Sequence, residues 1–526
     1  MKRSINILSA VLILSVTVSS CKKKFEDYSV NTNKPTSVPA SLLFNGILND
    51  MTDGHYSMNE RWGQYFLCNY DYYGNNRYDF GSGDNYYTAL KNATKMEEEA
   101  IHNGAEVINP YSALAKFFKA YLFTKMSLEM GDLPMSEALE GASNLKPKYD
   151  DQKSIFIQSL KWLDTANTEL GQLIASNNVT LAGDIFYNNN LSKWQKAVNT
   201  FQLRLLIELS KKEADADLGI KARFSTIVGN PTQYPIMQSA DDNLQYTYIS
   251  PTNYYPMNPS NFGFDALRYN TSATYIGLLT SLNDPRVFVT AEPAAEKITS
   301  GTSPTSFAAF LGADPGEDLG AMYAEANAGK YSLINRYRYY QTYTGEPAIQ
   351  LGYPEMLFNI AEAINRGWIT TGPLGNAEDH YKAGIMASMD FYDIPESGSF
   401  SVYFLKSGSP GSTAVYNTHT VNFDFNTYYA QSSVKYAGSV TGLAQILKQR
   451  YLALFRHSGL EAYYQNRRTG VPVFTTGPGT GNGARIAKRF QYFGSEQTSN
   501  SENYNAALKT QFSGNDDINA EMWLLK

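Results

Sequence analysis

The first 21 residues constrain the chain most strongly, because residues 1–20 have the pattern of a segment that is removed from the protein and Cys21 would be the first residue that remains. Lys2 and Arg3 give a positively charged start, and an apolar run follows from Ile5 to Val18. Two small residues, Ser19 and Ser20, then precede Cys21. This order is typical of an export signal that is cleaved just after small residues. We therefore predict a signal peptide over residues 1–20 and lipidation at Cys21.

A transmembrane anchor is the competing interpretation of this segment. The run from Ile5 to Val18 has only 14 residues, two of them Ser and one Asn, whereas a spanning helix needs about 20 predominantly apolar residues. Acyl chains on Cys21 would instead anchor the mature protein, and two or more chains give stable attachment. We predict that residues 21–39, interrupted by Pro35 and Pro39, form a lipidated tether at a membrane surface.

Charge and cysteine content exclude several classes of protein. Without Lys2 and Arg3 the mature chain has 42 basic and 50 acidic side chains, so a nucleic-acid partner is not expected. Hydrophobic residues make up 43% of the chain and charged residues 18%, which is typical of a folded globular body. Since Cys21 is assigned to the lipid, Cys68 has no partner for a disulfide, and we predict that it is a buried small hydrophobe.

Apolar residues at helical spacing predict several long helices. Leu114, Phe118 and Met126 lie on one face of a helix that ends at Gly131. Ser192 with Gln195 has the pattern of a capping box at the start of another helix. Further helices are predicted over about 154–170, 354–367, 377–389 and 443–454, the last being the final long helix. The segment of about 393–439 is predicted to be irregular, and the tail after Gly470 is predicted to contain loops and short strands.

These patterns predict a mainly α-helical protein with long irregular loops and a few short strands. The two helices that begin near Pro354 and Ala377 span close to the 34-residue period of tetratricopeptide repeats, which favours stacked helical hairpins. We predict a single domain over residues 40–526. Its helical frame covers about 40–230 and 350–470, and a loop-rich segment of about 231–349, rich in Asn, Pro, Gly and Tyr, lies between the two parts.

Tyrosines are unusually frequent, with 39 in the chain, and they occur in clusters. One cluster runs from Tyr70 to Tyr78, and a second lies around Tyr254 and Tyr255. A tyrosine offers an apolar ring face and a polar tip, which suits polar ligands with flat faces. Clusters in loops rich in Gly, Asn and Pro favour binding over core formation. We interpret these two clusters as candidate binding surfaces.

Catalytic and metal-binding motifs are not found in the sequence. The five histidines stand alone, without an H-E-x-x-H, a paired Cys/His spacing or a G-x-S-x-G elbow. The glycine-rich run 477–483 lacks the features of a phosphate-binding loop, and the acidic runs 314–318 and 515–517 lack the spacing of a calcium loop, so we interpret them as turns. The sequence therefore predicts no enzyme, no cofactor and no metal.

Several motifs together resemble the SusD/RagB family of lipoproteins, particularly its SusD-like branch. Besides Cys21, the motifs run from one end of the chain to the other in the order that the family has. They are M-G-D-L-P from Met130, K-W-Q-K-A-V-N from Lys193, E-M-L-F-N-I-A-E-A from Glu355, Q-R-Y-L-A-L-F from Gln449 and R-R-T-G-V-P from Arg467.

The resemblance implies a fold, partners and a place for the ligand site. It implies one body of tetratricopeptide-like hairpins, lipid-anchored at the outer membrane of Bacteroidetes and docked on a SusC-like TonB-dependent transporter. It also implies a ligand site built from loops, in the two regions that contain the tyrosine clusters. As candidate ligand-binding residues we name Tyr72, Tyr73, Asn75, Arg77, Tyr78, Tyr254, Tyr255 and Asn258.

The function implied is capture of oligosaccharides at the cell surface and their delivery to the transporter. An uptake lipoprotein of the RagB type that binds peptides is the alternative, since a surface of Tyr, Asn and Arg also suits an extended peptide. A surface glycan hydrolase is the third class, because two carboxylates are sufficient for that chemistry and the chain has 50. Release of products distinguishes the hydrolase from the two binding functions.

The lipidation site gives a first testable prediction. Cys21→Ser removes the thiol that carries the acyl chains, so palmitate labelling should be lost and the protein should leave the membrane fraction. Cys68→Ser, which changes the other cysteine, should keep both the label and the membrane attachment. Labelling that persists in the Cys21→Ser variant contradicts the assignment.

Overall fold

The structure is a computed structural model that describes residues 37–178, 180–262, 266–409 and 415–526. The predicted signal peptide, Cys21 and most of the predicted tether lie outside the described residues.

Helices dominate the described part of the chain, and consecutive helices pack on one another. In the first half they are α1 (Ala40–Asp50), α2 (Met58–Trp62), α3 (Tyr87–His102), α4 (Pro110–Met130), α5 (Gln152–Ala175), α6 (Leu191–Glu208), α7 (Ile220–Gly229), α8 (Ala273–Ser281) and α9 (Val287–Thr290). The second half contains α10 (Ala295–Thr299), α11 (Leu319–Asn327), α12 (Arg336–Tyr340), α13 (Tyr353–Asn365), α14 (Ala377–Asp390), α15 (Phe425–Tyr429), α16 (Ser439–Ala453), α17 (Glu461–Thr469), α18 (Gly494–Ser499) and α19 (Ser501–Phe512).

Short strands form three antiparallel pairs among the described residues. The strands are β1 (Phe66–Cys68), β2 (Leu244–Tyr246), β3 (Tyr269–Thr271), β4 (Ala348–Leu351), β5 (Ser397–Leu405) and β6 (Tyr416–Asp424). β1 pairs with β3, β2 with β4, and β5 with β6. The prediction of a mainly helical single body with a few short strands is therefore confirmed.

The strongest helix predictions are confirmed, and the structure corrects one start. In α4, Asn109 caps the N-terminus by accepting a hydrogen bond from the backbone of Ser112, and the helix ends at Gly131, whose φ is 104°. α6 begins one residue before the predicted capping Ser192. Its cap is Asn190, whose side chain accepts from the Lys193 N–H, because an Asn oxygen satisfies the free donors of the first turn as well as a Ser oxygen does.

Two regions contain elements that the sequence did not predict. Within 393–439, β5 and β6 form a hairpin of nine residue pairs, from Ser397 with Asp424 to Leu405 with Tyr416. Val402 and Phe404 on β5 are buried, so this strand has the alternation of a ribbon with one face on the core. The tail after Gly470 contains α18 and α19, whose weak apolar face left no clear helical pattern in the sequence.

A buried network of charged side chains joins four helices in the centre of the frame. Arg450 on α16 donates to Glu355 of α13 and Glu461 of α17, each at 3.0 Å. Arg204 on α6 donates through Nε to the same Glu355 at 2.7 Å. Burial alone raises the pKa of Glu355, but Arg204 and Arg450 outweigh it and hold that pKa below its usual value. The network therefore keeps its charges by mutual neutralisation.

Another buried carboxyl, Glu129 on α4, lacks such a partner. Its Oε2 accepts from the Asp84 backbone at 2.6 Å, while Oε1 has no hydrogen bond among the described residues. Burial, with a smaller contribution from Asp84, raises the pKa of Glu129 to about 8. Burial likewise raises the pKa values of Asp132 and Glu292 to about 7. The folded protein therefore holds protons that the unfolded chain releases.

None of the helices in the described ranges has the length and apolar composition needed to cross a membrane.

Truncation of the central network tests its role. Arg450→Ala leaves Glu461 and two amide side chains, Asn359 and Gln465, without their donor in a buried site. We expect the free energy of unfolding to fall by about 3–5 kcal/mol, measured by urea denaturation. Arg485→Ala, at an exposed arginine, is the control and should change stability little. An equal effect of the two substitutions contradicts the proposed role.

The pH dependence of stability tests the state of Glu129. Between the pKa of Glu129 in the unfolded chain and about 8, the native state holds a proton on this carboxyl that the unfolded chain releases. The free energy of unfolding should therefore fall as the pH rises from about 5 to 8, and one group contributes up to about 1.4 kcal/mol per pH unit. Glu129→Gln should flatten this slope by about one proton in urea denaturation curves. The exposed Glu502→Gln should leave it unchanged, and an unaltered slope in Glu129→Gln contradicts the assignment.

Candidate functional site

The first tyrosine cluster forms an exposed aromatic surface on the loop after β1. The Tyr72 side chain is 86% exposed and that of Tyr73 46% exposed. Both rings lie beside the ring of Tyr70, with centroid distances of 6.4 and 4.9 Å, and Tyr323 of α11 contacts the same ring at 5.8 Å. We call Tyr70, Tyr72, Tyr73, Tyr323 and the neighbouring Arg268 the Tyr70 surface.

Arg268 belongs to this surface and is absent from the residues predicted from the sequence. Its guanidinium carbon lies 4.1 Å from the ring centroid of Tyr70, and its Nη1 donates to the Tyr73 hydroxyl at 2.6 Å. The pairing of β1 with β3 brings it there, since Asn69 donates its backbone N–H to the Arg268 carbonyl at 2.8 Å. The charged group polarises the ring beneath it and fixes the orientation of the Tyr73 hydroxyl.

A tight turn and a buried amide shape the loop that carries these rings. The backbone N–H of Gly74 donates to the Tyr70 carbonyl at 2.7 Å, and a Cβ on Gly74 would lie 2.5 Å from that same oxygen. Asn76 is buried and bonds both the N–H and the carbonyl of Cys68 at 2.8 Å. Cys68 is a buried free thiol, as predicted. The loop is therefore held firmly against β1.

Asn75 and Arg77 are exposed on the same loop, and both are engaged locally. The Asn75 side chain accepts from the Arg77 backbone at 3.0 Å, and its carbonyl accepts from Arg61 at 2.7 Å. The Arg77 guanidinium forms an ion pair with Asp79. Both residues can still contact a ligand through their remaining polar atoms.

Three other predicted site residues are buried. Tyr78 donates its hydroxyl to the Trp62 carbonyl at 2.8 Å, and Tyr255 is fully enclosed. The Asn258 amide donates to the Tyr255 carbonyl at 2.8 Å and so fixes the turn around it. In this conformation these side chains shape the loops and offer no ring face or amide to a ligand in solution.

Tyr254 forms a second exposed aromatic pair, separate from the Tyr70 surface. Its side chain is 45% exposed, and its ring lies 4.5 Å from that of Tyr343. The Tyr343 hydroxyl is 3.0 Å from Ser260 Oγ. Next to these surfaces in the chain, the Tyr255 ring packs against His55 and the Tyr269 ring against Tyr56.

The groups at these surfaces suit binding rather than bond cleavage. They combine ring faces with hydroxyl, amide and guanidinium groups, which bind ligands that have both apolar faces and hydroxyls. The ring centroids of His55 and His457 lie 5.5 Å apart inside the protein. Burial and nearby arginines lower the pKa of both histidines, that of His457 to about 3. In the described part of the chain no cluster of three or more His, Cys, Asp or Glu residues could hold a metal ion.

The acidic run 515–517, interpreted from the sequence as a turn, is packed more closely than a solvated turn. Asp516 accepts from the buried Arg489 and from the backbone N–H of Tyr492 at 3.0 Å. Its carboxylate is therefore used within the protein, at the junction of the tail and α4.

Comparison with known proteins identifies the family. A family model of SusD-like proteins, described as starch-binding and associating with the outer membrane, matches residues 32–493. No curated protein sequence matches the chain significantly.

Solved structures with the same fold cover 93% of the chain. A SusD homolog from Bacteroides fragilis NCTC 9343 is 34% identical, with all of its chain covered and a TM-score of 0.80. An outer-membrane protein from Bacteroides vulgatus ATCC 8482, described as involved in nutrient binding, is 29% identical over its whole length, with a TM-score of 0.77. A chitin-binding SusD homolog from Flavobacterium johnsoniae is 20% identical over 98% of its chain, with a TM-score of 0.66, and shares the fold.

Proteins of this family bind nutrients and are not catalysts, so the hydrolase alternative is set aside. The family match covers most of the described frame together with both aromatic surfaces. The chain belongs to the SusD-like family of outer-membrane nutrient-binding proteins of Bacteroidetes.

Proposed function

We propose that the protein captures oligosaccharides on the Tyr70 surface and passes them to a SusC-like TonB-dependent transporter. The observation that carries the proposal is the exposure of Tyr72 and Tyr73 beside Arg268, on a loop held against β1. Asn75, Arg77 and Tyr254 are the other predicted residues that are exposed to a ligand. The starch-binding description of the family and the chitin-binding relative support a saccharide over a peptide.

The energetics of such a surface favour weak and reversible capture. A sugar ring laid on one tyrosine removes on the order of 50 Å² of apolar surface from water, worth about 1.3 kcal/mol. Two rings and two or three hydrogen bonds of about 1 kcal/mol each give roughly 5 kcal/mol. This corresponds to a Kd of about 0.1–1 mM. A ligand held so weakly leaves quickly, as delivery to a transporter requires.

Lipidation at Cys21 and docking on a transporter complete the proposal. Both follow from the sequence pattern at the N-terminus and from membership of a family that associates with the outer membrane. Attachment by acyl chains to the outer membrane would keep the Tyr70 surface at the cell exterior, near the transporter. Isolation of the membrane protein in detergent, followed by identification of co-purifying proteins, tests the partnership.

Removal of the exposed rings tests the ligand surface. Tyr72→Ala and Tyr73→Ala should each raise the Kd for a saccharide by about tenfold, because each removes one platform worth about 1.3 kcal/mol. Calorimetry with chitohexaose, maltohexaose, cellohexaose and a set of oligopeptides measures the effect, and each mixture is checked for cleavage products. Both variants should melt like the wild type, since these side chains are exposed.

Val107→Ala is the matched control, because it shortens another strongly exposed apolar side chain, 74% accessible, at the end of the α3–α4 connection. It should bind like the wild type. Unchanged affinity in both tyrosine variants, with native melting, contradicts the assignment of the surface. A heat of binding that is seen with peptides and with no saccharide changes the proposed ligand class to peptides.

A further inference from the structure

A cleft of about 660 Å³ lies between β5, the residues that follow α14 and the loop after α12. This volume is within the range of about 300–1,000 Å³ that is common for ligand sites. The loop, residues 341–347, separates the cleft from Tyr254, because Tyr343 within it packs on that ring. None of the lining residues belongs to the Tyr70 surface. The cleft is therefore a separate place at which a ligand can bind.

Aromatic rings form much of the cleft wall. Tyr337 of α12 stacks on Tyr403 of β5, with centroids 4.0 Å apart and planes at 18°. Tyr416 meets the Tyr337 ring edge-on at 5.2 Å and so holds it in place. Phe391 and Phe400, both partly buried, line the same cleft. A saccharide ring can lie against such faces at little cost in side-chain order, because the rings are already fixed.

Two buried polar atoms in the lining lack hydrogen-bond partners among the described residues. Glu346 uses Oε2 to accept from Arg338 Nε at 2.7 Å, whereas its Oε1 is unpaired. The hydroxyl of Tyr392 is also unpaired, and both side chains are at most 5% exposed. Leaving such a group unsatisfied destabilises the free protein. Both residues line the cleft, and a ligand hydroxyl that reached either atom would satisfy it.

The charges of the cleft select against anionic ligands. The charged residues that line it are Arg338, Glu346 and Asp393, so the net charge is one negative. Arg338 is already committed to Glu346 and lies over the Tyr392 ring at 4.6 Å. A carboxylate or sulfate on the ligand would face an unpaired carboxylate oxygen, whereas a hydroxyl or an amide N–H would donate to it.

We propose that this cleft is a second saccharide-binding site, specific for uncharged oligosaccharides. The inference rests on the proposed saccharide function of the protein. Together with the Tyr70 surface, it would hold a long or branched glycan at two points, and two weak contacts on one chain bind more tightly than either alone.

Tyr392→Phe and Tyr337→Ala test the cleft in the purified protein. Because the Tyr392 hydroxyl has no partner among the residues that the structure describes, its removal should leave the melting temperature unlowered, while the Kd for the neutral hexasaccharide that binds best should rise about fivefold. Tyr337→Ala removes a ring platform, and we expect a rise of about tenfold. Tyr234→Phe, on the turn after α7 and outside the cleft, is the control and should bind normally.

The double variant Tyr72→Ala/Tyr73→Ala separates the two sites. Binding by this variant that is further weakened by Tyr337→Ala supports the cleft, and so does failure of a uronate hexasaccharide to bind there. If the cleft variants bind like the wild type and the double variant loses all binding, the cleft is not a binding site and the proposed function stands. If only the cleft variants lose binding, the Tyr70 surface is not the ligand site and the assignment of the cleft stands.

Two other results overturn the second site directly. Absence of binding to every saccharide overturns the proposed function and the cleft together. Tyr392 also lines a second cavity, of about 30 Å³, the size of one water. If a water there satisfies the Tyr392 hydroxyl, Tyr392→Phe should lower the melting temperature and leave affinity unchanged, which contradicts a role in binding.

Discussion

The interaction on which the rest of the structure depends is the buried hydrogen-bonded ion network around Glu355. It connects α6 and α13 with the consecutive helices α16 and α17, so it joins three separate parts of the chain. Burying an ion costs several kcal/mol, and its partners offset this cost only when the geometry is complete. Arg450 meets this condition, because its Nε, Nη1 and Nη2 atoms all donate, to Asn359, Gln465, Glu355 and Glu461. Because its members come from four helices, a shift of any one of them would break these contacts.

The same residues explain why the family could be recognised from the sequence. Arg204, Glu355, Arg450 and Glu461 lie within or beside the motifs on which the resemblance rests, and Arg468 with Glu362 adds a further buried ion pair. Charged residues within apolar helical patterns are distinctive, because a buried charge requires a fixed partner. The motifs therefore identify the scaffold, and they contain none of the exposed tyrosines.

The helices were predictable where capping and apolar periodicity agreed, as in α4, α6 and α13. The β5–β6 hairpin was missed although Phe400, Val402 and Phe404 alternate, because the flanking Gly and Ser residues suggested an irregular segment. A similar alternation explains the buried member of the first tyrosine cluster. From Asn75 to Phe80, exposed and buried residues alternate, which is typical of extended chain. Composition alone groups Tyr78 with the exposed tyrosines near it in the sequence. The two-residue alternation instead points its side chain towards the protein interior.

Arg268 could not be predicted, because nothing in its local sequence connects it to Tyr70. The two residues are neighbours only because β1 pairs with β3, and that pairing joins segments about 200 residues apart in the chain. Local patterns do not specify such a pairing, and the surrounding frame must hold both segments in place before it forms. The frame thus determines which loop residues meet, while the loops determine what they can bind. Changes in loop sequence can therefore alter the ligand without disturbing the buried ion network.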